Sequence, residues 1–136
     1  MASIRRELVV EALADEVWEA FRDVGAVHTR LAEGFVTDTR LEGRDERVVT
    51  FVNDVVAREK IVDLDDEARR LAYSAGGGRL AHHNASFQVF AEGADRTRIV
   101  WIADLLPNEL APTIAGMMEQ GSSAMKRTLE RAHTRA

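Results

Sequence analysis

The sequence predicts an α+β fold in which a curved antiparallel sheet of seven strands wraps around one long carboxy-terminal helix. Between residues 35 and 106, apolar and polar side chains alternate with a period of two, typical of a sheet with one wet face. Between residues 108 and 131 the apolar spacing changes to three, four and seven, which places one stripe along a helix. A long helix across a curved sheet commonly encloses a pocket, so the two patterns together predict a cavity.

The composition indicates one ordinary globular domain. With 136 residues the chain can bury a core without disulfides, and we expect residues 1–136 to form a single ligand-binding domain. The net charge of −5 argues against a nucleic-acid partner, because phosphate binding needs a basic surface. The sequence has no cysteine, which excludes disulfides, thiolate zinc sites and thiol catalysis.

The apolar runs of the chain are all short. The amino-terminal segment MASIRRELVV lacks the uninterrupted apolar stretch of a signal peptide. No segment approaches the roughly 20 apolar residues that are needed to cross a bilayer. We therefore expect a cytoplasmic protein without integral membrane association.

The segment before the alternating region predicts one strand and two short helices. Residues 4–11 form the first strand. Asp15 is expected to cap a helix that Gly25 ends, and residues 27–32 form a second short helical turn. The apolar face of the first helix comprises Val17, Trp18, Ala20 and Phe21.

Six further strands are separated by short turns. They are predicted over residues 35–41, 47–52, 55–64, 69–75, 80–91 and 97–105. The connections are short and rich in glycine, asparagine and aspartate, so the strands form hairpins and the sheet is an antiparallel meander. Gly76-Gly77-Gly78 is one such hairpin rather than a phosphate loop, because it lies between two strands and not ahead of a helix.

Alternation assigns an inner face to each strand, and three polar residues fall on that face. On the last strand the inner set is Thr97, Ile99, Trp101, Ala103 and Leu105. The same rule turns Glu59, Tyr73 and His83 inward on three other strands. A buried carboxylate is costly unless it is paired, so Glu59 is expected to face His83, Tyr73 or a polar atom of a ligand.

This inward trio has two interpretations. A titratable group in an apolar pocket is a candidate general acid or base, which would make Glu59 or His83 catalytic with Tyr73 as a hydrogen-bond donor. Alternatively, the three side chains form a polar network that orients a ligand and fixes the shape of the pocket. The sequence leaves both interpretations open.

The histidines do not predict a metal site. Neighbouring side chains in a strand point to opposite faces, so His82 and His83 cannot bind one ion. His28 is distant in sequence and could approach only His83, and no third ligand is evident. We expect neither a metal nor another cofactor.

Aromatic and methionine side chains are the candidate walls of the cavity. Methionine suits pockets that accept several shapes, because its side chain is flexible and polarizable. Gly116 and Gly121 interrupt the long helix, which predicts a bend or a close approach at these positions. The candidate ligand-binding residues are Trp18, Phe35, Phe51, Phe87, Trp101, Met117, Met118 and Met125.

Three segments carry a resemblance to a known family. They are the opening IRRELVVEALADEVWEAFRDVGAV, the central AREKIVDLDDEARRLAYSAGGG, and TRIVWIADLLP followed by the long helix. Together they resemble the polyketide cyclase/dehydrase and lipid-transport branch of the START-like (SRPBCC) superfamily, across nearly the whole chain. The resemblance implies the helix-grip fold. It does not imply one chemistry, because the superfamily includes lipid carriers, polyketide cyclases and co-chaperones.

Three functions follow as hypotheses. The first is binding of a small hydrophobic ligand, lipid-like or polyketide-like, between the sheet and the long helix. The second is a polyketide cyclase or dehydratase that uses a carboxylate or histidine of the cavity. The third is a co-chaperone or other protein-interaction module, which would need a filled core and a large exposed apolar patch. Val100 and Ile102 are predicted to face outward, where they could support a homodimer.

Overall fold

One curved antiparallel sheet of seven strands carries the rest of the molecule, as the sequence predicts. The computed structural model describes residues 2–76 and 78–135. The strand order is β1-β7-β6-β5-β4-β3-β2, so consecutive strands from β2 to β7 pair and β1 closes onto β7. The strands are β1 (Ala2–Val10), β2 (Val36–Glu42), β3 (Glu46–Phe51), β4 (Val56–Asp65), β5 (Arg70–Gly76), β6 (His82–Ala91) and β7 (Thr97–Leu106).

The first helix, α1 (Ala14–Arg22), begins two residues earlier than a cap at Asp15 would allow. Leu13 is the residue at its amino-terminal cap, and it makes no side-chain capping bond, so the predicted role of Asp15 is wrong. Asp15 instead lies in the first turn, where its charge favourably meets the positive end of the helix dipole. A single π-helical turn follows at Val27–Leu31.

The long helix, α2 (Ala111–Arg135), follows a 3-10 turn at Asn108–Leu110. The helix continues to Arg135, the last residue that the structure describes. The last turn is held because His133 Nδ1 lies 3.1 Å from a carboxylate oxygen of Glu16 on α1. Ala136 lies outside the described residues.

The inner face of the sheet follows the predicted alternation. The inward set of β7 is buried throughout, and so are Leu71 and Tyr73 on β5. A register shift between Ile61 and Asp63 leaves Val62 exposed, so the alternation of β4 is interrupted at that point. The strand β6 begins at His82 rather than at residue 80 as predicted, and Ala81 is exposed.

Val100 and Ile102, the outward residues that were predicted to support a homodimer, differ in exposure. Val100 is only 7% exposed, because it lies between Glu7 and Gln88 on the neighbouring strands. Ile102 is 36% exposed. Within residues 2–76 and 78–135, no helix is both long enough and apolar enough to cross a bilayer. Gly77, predicted in the turn after β5, lies outside the described residues.

Candidate ligand-binding cavity

A cavity of about 170 Å³ lies between the inner face of the sheet and the amino-terminal half of α2. Most of its wall is apolar, and the polar exceptions are Glu59, Tyr73 and His83. These three are the residues that alternation turns inward on β4, β5 and β6. The full lining is Phe35, Phe51, Val55, Ala57, Glu59, Tyr73, Ala75, Leu80, His83, Trp101, Ala103, Ile114, Met117 and Met118.

A second cavity of about 60 Å³ adjoins the first. The two share five wall residues, so they adjoin one another. They are called the larger and the smaller lobe below. The shared residues are Phe35, Phe51, Glu59, Tyr73 and Trp101. The smaller lobe adds Arg47 of β3, Phe87 of β6 and Met125 of α2 to the wall.

Glu59 is paired with an arginine rather than with His83 or Tyr73. Arg47 Nε donates to Glu59 Oε1 at 2.8 Å, and the two side chains are only 4% and 10% exposed. Arg47 also donates to the carbonyl oxygen of Val24 at 3.3 Å. Each buried charge therefore has the opposite charge beside it, as a buried ion needs.

Sequence reasoning missed Arg47, although the signal was present. Arginine is mostly exposed in proteins, so its position on a strand is normally read as facing water. Arg47 nevertheless shares its strand face with Val49 and Phe51, and it pairs directly with Glu59 in the β3–β4 register. Directly opposed residues of antiparallel strands lie on the same face, so an inward Glu59 requires an inward Arg47.

Tyr73 is buried and lines both lobes of the cavity. Trp101 Nε1 donates to Tyr73 Oη at 3.3 Å. Burial and the negative charge of Glu59 raise the pKa of the Tyr73 phenol well above its ordinary value, so the hydroxyl stays protonated. Since Trp101 is the donor in their shared bond, that bond does not use the tyrosine's own proton.

His83 is the polar wall residue whose hydrogen bonding is incomplete. Its Nδ1 atom is buried and has no hydrogen-bond partner. Burial lowers the pKa of His83, with the negative charge of Glu59 opposing that effect, so the imidazole is neutral at physiological pH. The rings of His83 and Tyr73 lie 6.2 Å apart between centroids. An unsatisfied buried nitrogen is costly, and a guest molecule could provide the missing partner.

Aromatic rings form the floor of the cavity. Phe87 stacks on Trp101 with 4.6 Å between ring centroids, and Phe35 meets Phe51 edge-on at 5.2 Å. Phe87 also contacts Phe21 of α1 at 4.8 Å. These contacts join the cavity floor to the packed core beneath it, which holds the rings in place.

Gly121 is the point where α2 approaches this floor most closely. A Cβ atom on Gly121 would lie 3.1 Å from the Trp101 ring and 3.2 Å from the Phe35 ring. The predicted close approach is therefore found at this glycine. At Gly116 a Cβ atom would meet nothing within 4 Å.

Seven of the eight predicted wall residues line one of the two lobes. Phe87 and Met125 line the smaller lobe and not the larger one. Trp18 lies elsewhere: its Nε1 donates to Asp66 Oδ1 at 2.9 Å, in the turn between β4 and β5. Leu80, which also lines the larger lobe, was not predicted from the sequence.

A separate groove of about 360 Å³ lies between α1, the π-helical turn and the end of α2. It is lined by both acidic and basic side chains, including Glu16, Glu19 and Arg30. Among the described residues, no three His, Asp or Glu side chains cluster so as to hold a metal ion.

Comparison with known proteins agrees with this architecture. The model of the family described as polyketide cyclase/dehydrase and lipid transport matches residues 1–135. Comparison with curated proteins gives no match.

Solved structures share the fold at low sequence identity. A Thermobifida fusca protein is 25% identical, with 99% of this chain and 95% of that one covered and a TM-score of 0.78. Norcoclaurine synthase from Thalictrum flavum, solved as a point mutant with a transition-state analogue, is 22% identical, with 96% and 95% covered and a TM-score of 0.74. The Zhui aromatase/cyclase of a Streptomyces species is 20% identical, with 98% and 94% covered and a TM-score of 0.70.

Proposed function

This chain belongs to the polyketide cyclase/dehydrase and lipid-transport family, and from its cavity we propose that it binds a small, neutral, largely apolar molecule. The guest lies between the sheet and the amino-terminal half of α2. One oxygen of the guest, a hydroxyl or a carbonyl, hydrogen-bonds to His83 or Tyr73. The aromatic floor and the methionines of α2 enclose its apolar body.

The observation that carries this proposal is His83, a wall residue of an apolar cavity whose buried Nδ1 atom has no hydrogen-bond partner. In a native protein almost every buried polar atom has a partner. A ligand oxygen would supply one, and Tyr73 still has a proton to donate to the same oxygen. The two groups together favour a guest with a single polar end.

The electrostatics of the cavity favour an uncharged guest. The charge of Glu59 is already compensated by Arg47, and His83 is neutral, so the wall has no free charge to pair with an ionised ligand. Transfer of an unpaired charge into such a site is costly. We therefore expect small neutral alcohols, aromatic alcohols among them, to bind better than fatty-acid anions.

A thermal-shift screen of fatty acids, sterols and flat aromatics, each with a matched polar control, tests this function. A ligand at 100 times its dissociation constant adds about 2.7 kcal/mol of stability, which is a shift of several degrees in a domain of this size. The matched variants are His83→Leu and His82→Leu, because the two histidines are adjacent and point to opposite faces.

His83→Leu should lose most of the shift, and His82→Leu should keep it. Met117→Arg places a charge in the cavity and should abolish binding. If Met117→Arg retains the wild-type affinity with an intact fold, the ligand does not lie in this cavity and the proposal fails.

Catalysis is a second candidate, favoured by the pairing of a neutral histidine with a free tyrosine proton. In a cyclase or dehydratase reaction, His83 would take a proton from the carbon beside a ligand carbonyl. Tyr73 would donate a hydrogen bond to the enolate oxygen that develops. Glu59 is a weaker candidate for the base than the sequence alone suggests, because Arg47 already occupies its carboxylate.

Rates with an enolisable aromatic ketone distinguish catalysis from binding. Tyr73→Phe and His83→Gln should each lower kcat about 10²-fold or more while changing the Kd far less. Glu59→Gln tests the carboxylate in the same way. Since that variant also leaves Arg47 uncompensated, its rate is informative only alongside an unfolding measurement. Unchanged kcat in both the tyrosine and histidine variants would exclude the enzymatic role.

The third hypothesis, a co-chaperone or other interaction module, depended on a filled interior. The 170 Å³ cavity does not support that condition.

A further inference from the structure

We propose that Gly121 sets the size of the cavity, and that the guest is a phenol of one or two fused rings. This inference rests on the proposed binding function and specifies its ligand class. It concerns the contact between the backbone of α2 and the two rings of the cavity floor, Trp101 and Phe35.

The volume of the larger lobe limits the guest. An apolar cavity of about 150 Å³ holds a molecule the size of benzene. The larger lobe, at about 170 Å³, therefore accommodates one substituted ring. The adjoining lobe shares five wall residues with the larger one and adds about 60 Å³, which gives a second ring space. A three-ring aromatic or a sterol would require the walls to separate.

The missing side chain at Gly121 provides part of this space. The Trp101 and Phe35 rings lie close to the helix backbone at Gly121. An added Cβ atom there would lie 3.1–3.2 Å from both rings, which is closer than an ordinary van der Waals contact. Both rings line both lobes. A methyl group at residue 121 would therefore displace the rings away from the helix, toward the space that a ligand would occupy. Gly116 lies on the same helix without such a neighbour, so it is a matched control.

His83 and Tyr73 together offer a phenol hydroxyl one hydrogen-bond acceptor and one donor. A phenol hydroxyl can donate to Nδ1 of His83 and at the same time accept the free proton of Tyr73. Both side chains line the larger lobe, with 6.2 Å between their ring centroids. A neutral phenol also avoids the cost of burying a charge.

The first experiment measures Kd by NMR titration for phenol, 2-naphthol and 2-hydroxyanthracene. If only apolar area mattered, affinity would rise with each ring. We expect it to rise from phenol to 2-naphthol and then to fall at least about tenfold for the three-ring compound. Naphthalene, which lacks the hydroxyl, should bind more weakly than 2-naphthol.

The second experiment repeats the titrations on Gly121→Ala and Gly116→Ala. Gly121→Ala should weaken 2-naphthol binding about tenfold while changing phenol binding less than about threefold. Gly116→Ala should leave both affinities within about twofold of wild type. If Gly121→Ala does not fold, Phe35→Leu provides the reverse test, because the smaller side chain should admit 2-hydroxyanthracene.

The outcomes separate this inference from the function on which it rests. No binding of any phenol, sterol or fatty acid by the wild-type protein would overturn the proposed function. Wild-type binding that tightens steadily through three rings, or equal selectivity in Gly121→Ala and Gly116→Ala, would overturn the size limit alone. Both proposals are supported if affinity falls beyond two rings in the wild type, and if only Gly121→Ala shifts that fall to a smaller ligand.

Discussion

The two halves of α2 share one helix but meet different surroundings. Toward the carboxy terminus, four residues within six positions are buried against the core: Ala124, Met125, Thr128 and Leu129. Toward the amino terminus, Ile114 and Met117 are only partly buried and border the cavity. The carboxy-terminal half contributes mainly to stability, and the amino-terminal half contributes mainly to a binding surface. Substitutions in the two halves should therefore have different consequences.

The carboxy-terminal half is also fixed by polar contacts. Thr128 Oγ1 donates to the carbonyl of Ala124 at 2.8 Å and accepts from the backbone N–H of Glu33 at 3.0 Å. Lys126 donates to the carbonyl of Val9 at 2.9 Å, which ties the helix to β1. These contacts fix one half of α2 firmly, while the other half borders empty space.

The largest expected effect concerns the charged pair in the cavity wall. Glu59→Gln leaves Arg47 buried without a counter-charge, which should cost about 3–5 kcal/mol of unfolding free energy, measured with urea. The double variant Arg47→Met with Glu59→Leu should recover most of that loss, because both charges are removed together. The exposed pair of Glu42 with Arg40 is the control, and Glu42→Gln should change stability little. Equal losses at the two glutamates would contradict the assignment of a buried pair.

A matched pair of methionines tests the two halves of α2 directly. Met125 is buried in the core, so Met125→Ala should lower the unfolding free energy by about 2–5 kcal/mol. Met117 already borders a cavity and is partly exposed, so Met117→Ala should cost less than about 1 kcal/mol. Ligand affinity should show the opposite order, with Met117→Ala losing more. If both variants lose the same unfolding free energy, the two halves of α2 do not differ in how tightly they are packed.

The two glycines give a smaller effect of opposite sign. Gly116→Ala should stabilise the protein by up to about 1 kcal/mol, because alanine is the better helix former and meets nothing at that position. Gly121→Ala gains the same propensity but forces the Trp101 and Phe35 rings to move, for a net loss of about 1–3 kcal/mol. The thermal unfolding midpoints of both variants test this prediction. Stabilisation by Gly121→Ala would contradict the close contact between the helix and the two rings.

The smallest expected effect is the pH dependence that arises from His83. Burial lowers the pKa of His83 below its ordinary value of 6.5, so the unfolded chain binds a proton at a higher pH than the folded protein does. The stabilising contribution of the neutral ring is complete above about pH 7 and decreases as the pH falls through 6.5. Urea midpoints between pH 7.5 and 5 should therefore decrease less in His83→Leu than in the wild type. Identical pH profiles would mean that His83 is not desolvated.

Most of the fold could be predicted from the sequence because alternation and helical spacing are local patterns. All seven strands and the long helix follow from them, and the inward positions of Glu59, Tyr73 and His83 follow from the period of two. The bulge at Val62 could not be predicted this way, because one extra residue in a strand leaves no signature in composition.

The partners of the site residues depend on tertiary contacts. Trp18 looked like a cavity residue because it is large and apolar, yet α1 places its indole beside Asp66. Arg47 looked exposed because of its charge, and only the strand register brings it to Glu59. Gly121 was singled out correctly, but its neighbours Trp101 and Phe35 come from distant parts of the chain.

The most direct test of the account is chemical-shift mapping of the ¹⁵N-labelled protein with 2-naphthol at saturation. We expect the largest shifts at backbone amides along the cavity, at Ala75, Ala103 and Ile114. Residues of the separate groove, such as Ala20, Thr29 and Ala132, should shift little. Shifts concentrated in that groove, or no shifts at all, would contradict the claim that the space beneath the amino-terminal half of α2 is the binding site.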